Sequence, residues 1–169
     1  MRPALNKLPL WLEQTRNNLG LLINQKRVPH AILLSGKDGI GKSLLAKEFV
    51  KALLCSSEKI TGCGSCKSCQ MFDKGVHGDF LGLSLEEKAT IGVDQVRSAI
   101  TFSTRTNVFS ARKVILIDPA SKMNLGASNA LLKSLEEPPP NTVLILVSSR
   151  DASLPATVRS RCHRVVLDS

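Results

Sequence analysis

No run of apolar residues in this sequence approaches the roughly 20 that a helix needs to cross a bilayer. The opening stretch MRPALNKLPLWLEQ has neither the apolar core nor the small-residue cleavage site of a secretory signal, so the expected location is the cytoplasm, with no membrane partner. There is no internal repeat and no low-complexity tract. Aromatic residues make up only 4% of the chain against 43% hydrophobic, a balance that fits one domain large enough to bury its own core. Acid is also scarce: 14 Asp and Glu face 23 Lys and Arg, a formal charge of +9. That surplus suits nucleotide phosphates, a nucleic-acid backbone or an acidic protein surface, beside the plainer reading of a solvated basic face. Five cysteines without an export signal argue against a disulfide scaffold, because cytosolic thiols are kept reduced.

What the sequence does contain is alternation. Short apolar runs at 31–34, 80–85, 114–117, 142–147 and 165–167 read as strands, and amphipathic stretches at 10–26, 44–54, 93–103 and 125–135 read as helices. This pattern predicts an α/β fold with a parallel sheet covered on both faces and ligands at the C-terminal ends of the strands.

The first run leads directly into Gly36-Lys37-Asp38-Gly39-Ile40-Gly41-Lys42-Ser43, a P-loop pattern. Its glycines let backbone N–H groups turn inward around phosphate oxygens. Lys42 would set its ammonium against the β and γ phosphates, and Ser43 would hold the bridging magnesium ion. A strand before the loop and a helix after it supply the context this motif requires. Downstream, the apolar strand 114–117 ends at Asp118, the layout of a second acid that holds magnesium through water. Pro119 follows it, and proline has neither an acceptor nor a titratable group for base work. The next acid after Asp118 is Glu136. Loss of a general base costs about 10²- to 10⁴-fold in rate, so the expectation is nucleotide binding with little or no hydrolysis.

Cys55, Cys63, Cys66 and Cys69 are spaced C-x7-C-x2-C-x2-C, with Gly62, Gly64 and Ser65 permitting tight turns among them. Four thiolates this close make a complete tetrahedral set for Zn²⁺. A ferredoxin-type cluster also uses four cysteines, but its run continues to a Cys-Pro that is missing here. With every ligand from protein, no coordination position stays open, so the predicted zinc site is structural. Cys162 stands apart and reads as a small buried hydrophobe.

In this order, with the cysteine cluster inserted after the P-loop helix, these motifs resemble the nucleotide-binding module of bacterial DNA polymerase III clamp-loader subunits, which are AAA+ proteins. Three further strings extend the likeness across nearly the whole chain: Arg27-Val28-Pro29-His30-Ala31 before the first strand, 129–139 (NALLKSLEEPP), and Ser160-Arg161-Cys162. The resemblance implies a three-layer P-loop NTPase fold over 1–169 with a zinc-binding insertion at about 55–70, followed in the family by lid and collar domains beyond this sequence. It implies ATP or ADP with Mg²⁺ as ligand and Ser148, or its neighbour Ser149, at the position that senses the γ-phosphate. Arg161 would be an arginine finger entering a neighbouring subunit's ATP site. The partners it implies are the other clamp-loader subunits in a hetero-oligomeric ring and, through that ring, the sliding clamp and primed DNA. Motor subunits of the family carry a glutamate directly after the second acid. Pro119 together with a retained Arg161 places this chain with the delta-prime branch, although many of that branch have a degraded phosphate loop and this one is intact.

Three other readings fit parts of the sequence. A hydrolysing AAA+ ATPase of replication or repair would use Lys42, Ser43 and Asp118. A zinc-dependent nucleic-acid binder would use Lys59, Lys67 and Lys74 beside the cysteines. A small-molecule kinase has only the P-loop in its favour.

Overall fold

The computed structural model describes residues 7–57 and 59–168. The first six residues, on which part of the reading of the N terminus rests, lie outside the described residues. Five parallel strands form one sheet: β1 (Ala31–Gly36), β2 (Phe80–Leu83), β3 (Lys113–Ile117), β4 (Thr142–Ser148) and β5 (His163–Leu167), in spatial order β2-β3-β4-β1-β5. Among the described residues α1 (Glu13–Asn24) precedes the sheet, and α2 (Lys42–Leu54), α3 (Lys67–Asp73), α4 (Val93–Ser103), α5 (Leu125–Glu136) and α6 (Ala156–Arg159) lie in the connections between strands. Among the described residues no helix is long and apolar enough to cross a membrane.

The three central strands are buried on both faces, which is why they read as unbroken apolar runs rather than alternating ones. Alternate side chains nevertheless enter different cores. Ile32, Leu34, Val114, Leu116, Val143, Ile145 and Val147 pack with α1 and α2 on one face. Leu33, Ile115, Ile117, Leu144 and Leu146 pack with α4 and α5 on the other. Helix, sheet, helix is the three-layer arrangement expected from the alternation.

Several boundaries differ from the sequence expectation for local reasons. The stretch 10–26 opens as a 3-10 turn, Leu10–Leu12, after Pro9, and its α-helix ends at Asn24, with Lys26 in the left-handed region at φ 55. Helix α3 was hidden inside the cysteine spacing; the sulfur of Cys66 caps it by accepting the Cys69 N–H. Strand β5 begins at His163, two residues before the apolar run. It is an edge strand, so its first residues stay exposed and carry polar side chains.

Candidate functional site

The phosphate loop occupies residues 36–43 between β1 and α2, at the C-terminal edge of the sheet. Gly39 (φ 78) and Gly41 (φ 104) lie in the left-handed region, where glycine alone is unstrained. A Cβ on Gly41 would also stand 2.9 Å from Leu12 Cδ1, so the loop turns tightly against the segment before α1. The same segment braces it from outside, because the Trp11 indole N–H donates to the Ile40 carbonyl at 3.1 Å. Ile40 is itself core, which pins the middle of the loop. Among the described residues helix α2 starts with no side-chain cap, so the N–H groups of its first turn face the loop. Lys42 is buried and donates to the carbonyls of Gly36 (2.9 Å) and Lys37 (2.6 Å), holding its ammonium within the loop. Ser43 is exposed beside it, as are Lys37 and Asp38. Uncapped N–H groups, a captive ammonium and an exposed hydroxyl make a donor set that fits a polyphosphate with magnesium.

Strand order brings Ser148, Ser149 and Asp118 to the same edge. Ser148 pairs in register with Ser35, one strand away from the loop, and is fully buried; its hydroxyl accepts the Arg150 N–H at 3.2 Å. Ser149 is the serine that reaches the loop, donating its hydroxyl to the Asp38 carboxylate. Asp118 lies one residue past the Ile117–Leu146 register pair, half-buried, its N–H donating to Leu83 at 3.0 Å. Pro119 then caps a 3-10 turn, Ala120–Lys122, that leads away toward α5.

Arg161 is not brought to this edge. Parallel pairing sets His163 beside Ile32 and Leu167 beside Gly36, so Arg161 sits at the opposite end of β5. At about 3.3 Å per residue, the strand from His163 to Leu167 alone puts about 13 Å between it and the phosphate loop, beyond the reach of one side chain. Its guanidinium donates to the Thr157 carbonyl at 2.8 Å and pairs with Glu136 at 2.9 Å.

The four cysteines of the insertion converge, their sulfurs all within 4.8 Å of one another. A tetrahedral ZnS₄ centre with bonds of about 2.3 Å places its sulfurs about 3.8 Å apart, close to the 4.0 Å between Cys55 and Cys66. Backbone N–H groups of Ser57 and Cys63 donate to Cys55, that of Cys66 to Cys63, and that of Cys69 to Cys66. Such donors favour thiolates. The Ser65 hydroxyl and nearby backbone donors lower the Cys63 thiol to about 5. Burial opposes ionisation of Cys66, but hydrogen bonds from the Cys69 and Ser56 backbone outweigh it and leave the thiol at about 7. Burial pushes Cys69 up to about 12, the behaviour of a ligand that ionises only against a cation. This chemistry fits zinc, and all four positions would be filled by protein. The insertion is also locked to the domain: Ile60 fills the space that a side chain on Gly20 of α1 would take, and Lys51 of α2 pairs with Asp73 of α3 at 2.8 Å.

The family model described as "DNA polymerase III, delta subunit" matches residues 11–169. The chain belongs to the DNA polymerase III delta-subunit family. Within it, the chain is 47% identical over 154 residues to DNA polymerase III subunit delta' of Pseudomonas aeruginosa, covering 90% of this chain and 46% of that protein. It is 35% identical over 144 residues to DNA polymerase III subunit tau of Bacillus subtilis, covering 83% and 25%. The crystal structure of a gamma subunit-related protein of DNA polymerase III from Thermotoga maritima superimposes with a TM-score of 0.64 at 24% identity, covering 91% of this chain and 46% of that one. The chain thus spans about half the length of the delta-prime relative it matches, and the structural likeness concerns the fold.

One polar cluster of this delta-family domain has no sequence signature. Asp79, fully buried, accepts the backbone N–H groups of Val108, Phe109 and Ser110, each at 2.7 Å, and pairs with buried Lys113. Beside it His77 accepts the Asp79 N–H on Nδ1 and meets the Ser68 hydroxyl at 2.6 Å on Nε2. Ser68 and Ser110 both donate to the Leu54 carbonyl. With Nδ1 accepting, Nε2 carries the proton, so His77 donates to serine and cannot serve as its base. Ser, His and Asp together therefore form a structural brace joining α2, α3, the cysteine insertion and the loop before β3. The residues lie up to 45 positions apart, and only the fold assembles them.

Proposed function

We propose that this chain is the nucleotide-binding module of a delta-prime-like clamp-loader subunit that binds ATP or ADP with magnesium, hydrolyses it little or not at all, and supplies Arg161 to a neighbouring subunit's ATP site. The observation that carries the reading is the separation of Arg161 from the chain's own phosphate loop by the length of β5. An arginine at that edge serves a site only on another subunit, one whose phosphate loop is docked against it.

In this reading Lys42 and the N–H groups of 39–43 would hold the β and γ phosphates, Ser43 and Asp118 would hold magnesium, and Ser149, the neighbour of buried Ser148 that reaches the loop, would contact the γ-phosphate end. Bound magnesium neutralises phosphate charge. Pro119 offers nothing to activate water, so the nucleotide serves as a ligand that fixes the module's shape. In trans, the Arg161 guanidinium neutralises charge developing on a transferring phosphoryl group, an effect worth about 10³ to 10⁵ in rate. Structural Zn²⁺ on Cys55, Cys63, Cys66 and Cys69 stiffens the insertion at 55–70. The partners are the other clamp-loader subunits in a hetero-oligomeric ring and, through them, the sliding clamp and primed DNA. The setting is the bacterial cytoplasm, and the nucleotide-binding domain is 1–169.

The intact loop and Asp118 favour a second reading, a hydrolysing clamp-loader ATPase. Calorimetric titration with magnesium and ATP, with phosphate release followed on the same samples, separates the two. Heat of binding without release supports the first; release that disappears in Lys42→Ala supports the second.

A further inference from the structure

Arg161 is held by two elements at once. Its Nη1 donates to the Thr157 carbonyl of α6 at 2.8 Å, and its Nη2 pairs with Oε1 of Glu136, the last residue of α5, at 2.9 Å. A guanidinium is planar and carries five N–H donors in a fixed fork. One anchor leaves that plane free to rotate about the anchored nitrogen; two anchors on different nitrogens fix it. We infer that Glu136 is a positioning residue for Arg161, orienting the guanidinium so that its remaining N–H donors face a phosphate of the neighbouring subunit. The inference rests on the proposed role of Arg161 in trans.

Glu136 orients the arginine without quenching it. The pair is solvent-accessible, with side-chain exposures of 35% for Arg161 and 52% for Glu136, so water screens the attraction. A polyphosphate bearing several negative charges therefore draws the remaining donors without Glu136 having to leave. The neighbouring acid, Glu137, is exposed and makes no side-chain hydrogen bond or ion pair among the described residues, so proximity alone does not make an anchor. Glu136 is also the first acid after Asp118 in the sequence. Its place at the far end of α5, beside Arg161, removes it as a stand-in for the missing base at the chain's own site and gives it a different task.

The test uses the full-length subunit reconstituted with its ATP-hydrolysing partner subunits, the sliding clamp and primed DNA. Steady-state phosphate release is measured for Glu136→Ala, Glu136→Gln, Glu137→Gln, Arg161→Ala and the double variant Glu136→Ala/Arg161→Ala, with co-elution and thermal unfolding recorded for each. Glu136→Ala should lower kcat about 5- to 100-fold, from the worth of an exposed ion pair at one end to the cost of a misplaced catalytic group at the other, and leave KM unchanged. Glu136→Gln keeps an oxygen acceptor and should retain more activity than Glu136→Ala. Glu137→Gln should match wild type, and the double variant should be no slower than Arg161→Ala. If Glu136→Ala turns over like wild type while Arg161→Ala is impaired, or if the two losses multiply, Glu136 is not the anchor of Arg161, and the trans role of Arg161 stands. If Arg161→Ala itself has no effect, the trans role falls and this inference falls with it.

Discussion

Lys113 and Asp79 form an ion pair inside the protein, Nζ to Oδ1 3.4 Å, with side-chain exposures of 2% and 0%. Lys113 opens β3 and Asp79 immediately precedes β2, so the pair clamps the start of the edge strand to its neighbour. Its ammonium also lies over the Phe102 ring at 4.4 Å, which ties α4 to the same point. A charge buried this deeply persists only because every partner is present. Asp79→Ala, which strands Lys113, should cost about 3–5 kcal/mol of unfolding free energy, measurable as a large fall in the urea midpoint.

The same brace sets a pH dependence. Burial alone would raise Asp79, but the N–H groups of Ser110, Val108 and Phe109, and then Lys113, outweigh it and hold the carboxyl below its usual range. Burial lowers His77 and keeps it neutral in the fold. Both groups bind protons more readily when unfolded, so their stabilisation is complete above the ordinary imidazole value. It declines as pH falls below about 6.5, and declines again as pH drops through the folded carboxyl's depressed value. Urea midpoints at a series of pH values, with metal content followed in parallel, should fall in that order, and Asp79→Asn should flatten the more acidic limb.

Purified protein should carry one zinc per chain. Cys66→Ser and Cys69→Ser should each abolish it, and Cys162→Ser should not, because Cys162 packs against the α4 and α5 core away from the insertion. Cys162 is raised to about 11 by burial, so a thiol reagent at neutral pH should spare it until the domain unfolds. Chelation should make the insertion protease-sensitive while the sheet persists, since the two hydrophobic clusters contain the central strands independently of the metal.

Lys42→Ala should weaken binding of ATP with magnesium about 10- to 100-fold, the loss of one hydrogen bond to a charged partner, as read by calorimetry. Gly41→Ala should act through the fold instead. Its φ of 104 is strained for any Cβ, and that Cβ would press on Leu12, so a thermal scan should show destabilisation of about 1–2 kcal/mol even without nucleotide.

Much of this was legible in the sequence because it is local. Residues 36–43 announce a phosphate loop through glycine, lysine and serine at fixed offsets, and Asp118 ends an apolar strand. The cysteine spacing predicted a cluster that the fold closes to within 4.8 Å. Central strands were readable because burial on both faces makes them continuously apolar, whereas β5, exposed at the sheet edge, hid its first residues His163 and Arg164. Strand order was not legible, since no local pattern says that β5 pairs with β1 rather than β4. Nor was the brace of Ser68, His77, Asp79, Ser110 and Lys113, whose members share no spacing. Glu136 was recognisable only as part of a familiar string; its contact with Arg161 depends on where α5 ends relative to α6.

In the proposed function this chain completes a neighbour's site while its own does not turn over. The most direct measurement is phosphate release by the isolated chain and by the reconstituted complex, each with wild type and with Arg161→Ala. The isolated chain should give no release above background, and in the complex release at the neighbouring site should fall about 10³- to 10⁵-fold when Arg161 is removed. Brisk release by the isolated chain, or a complex indifferent to Arg161, would contradict the proposed function.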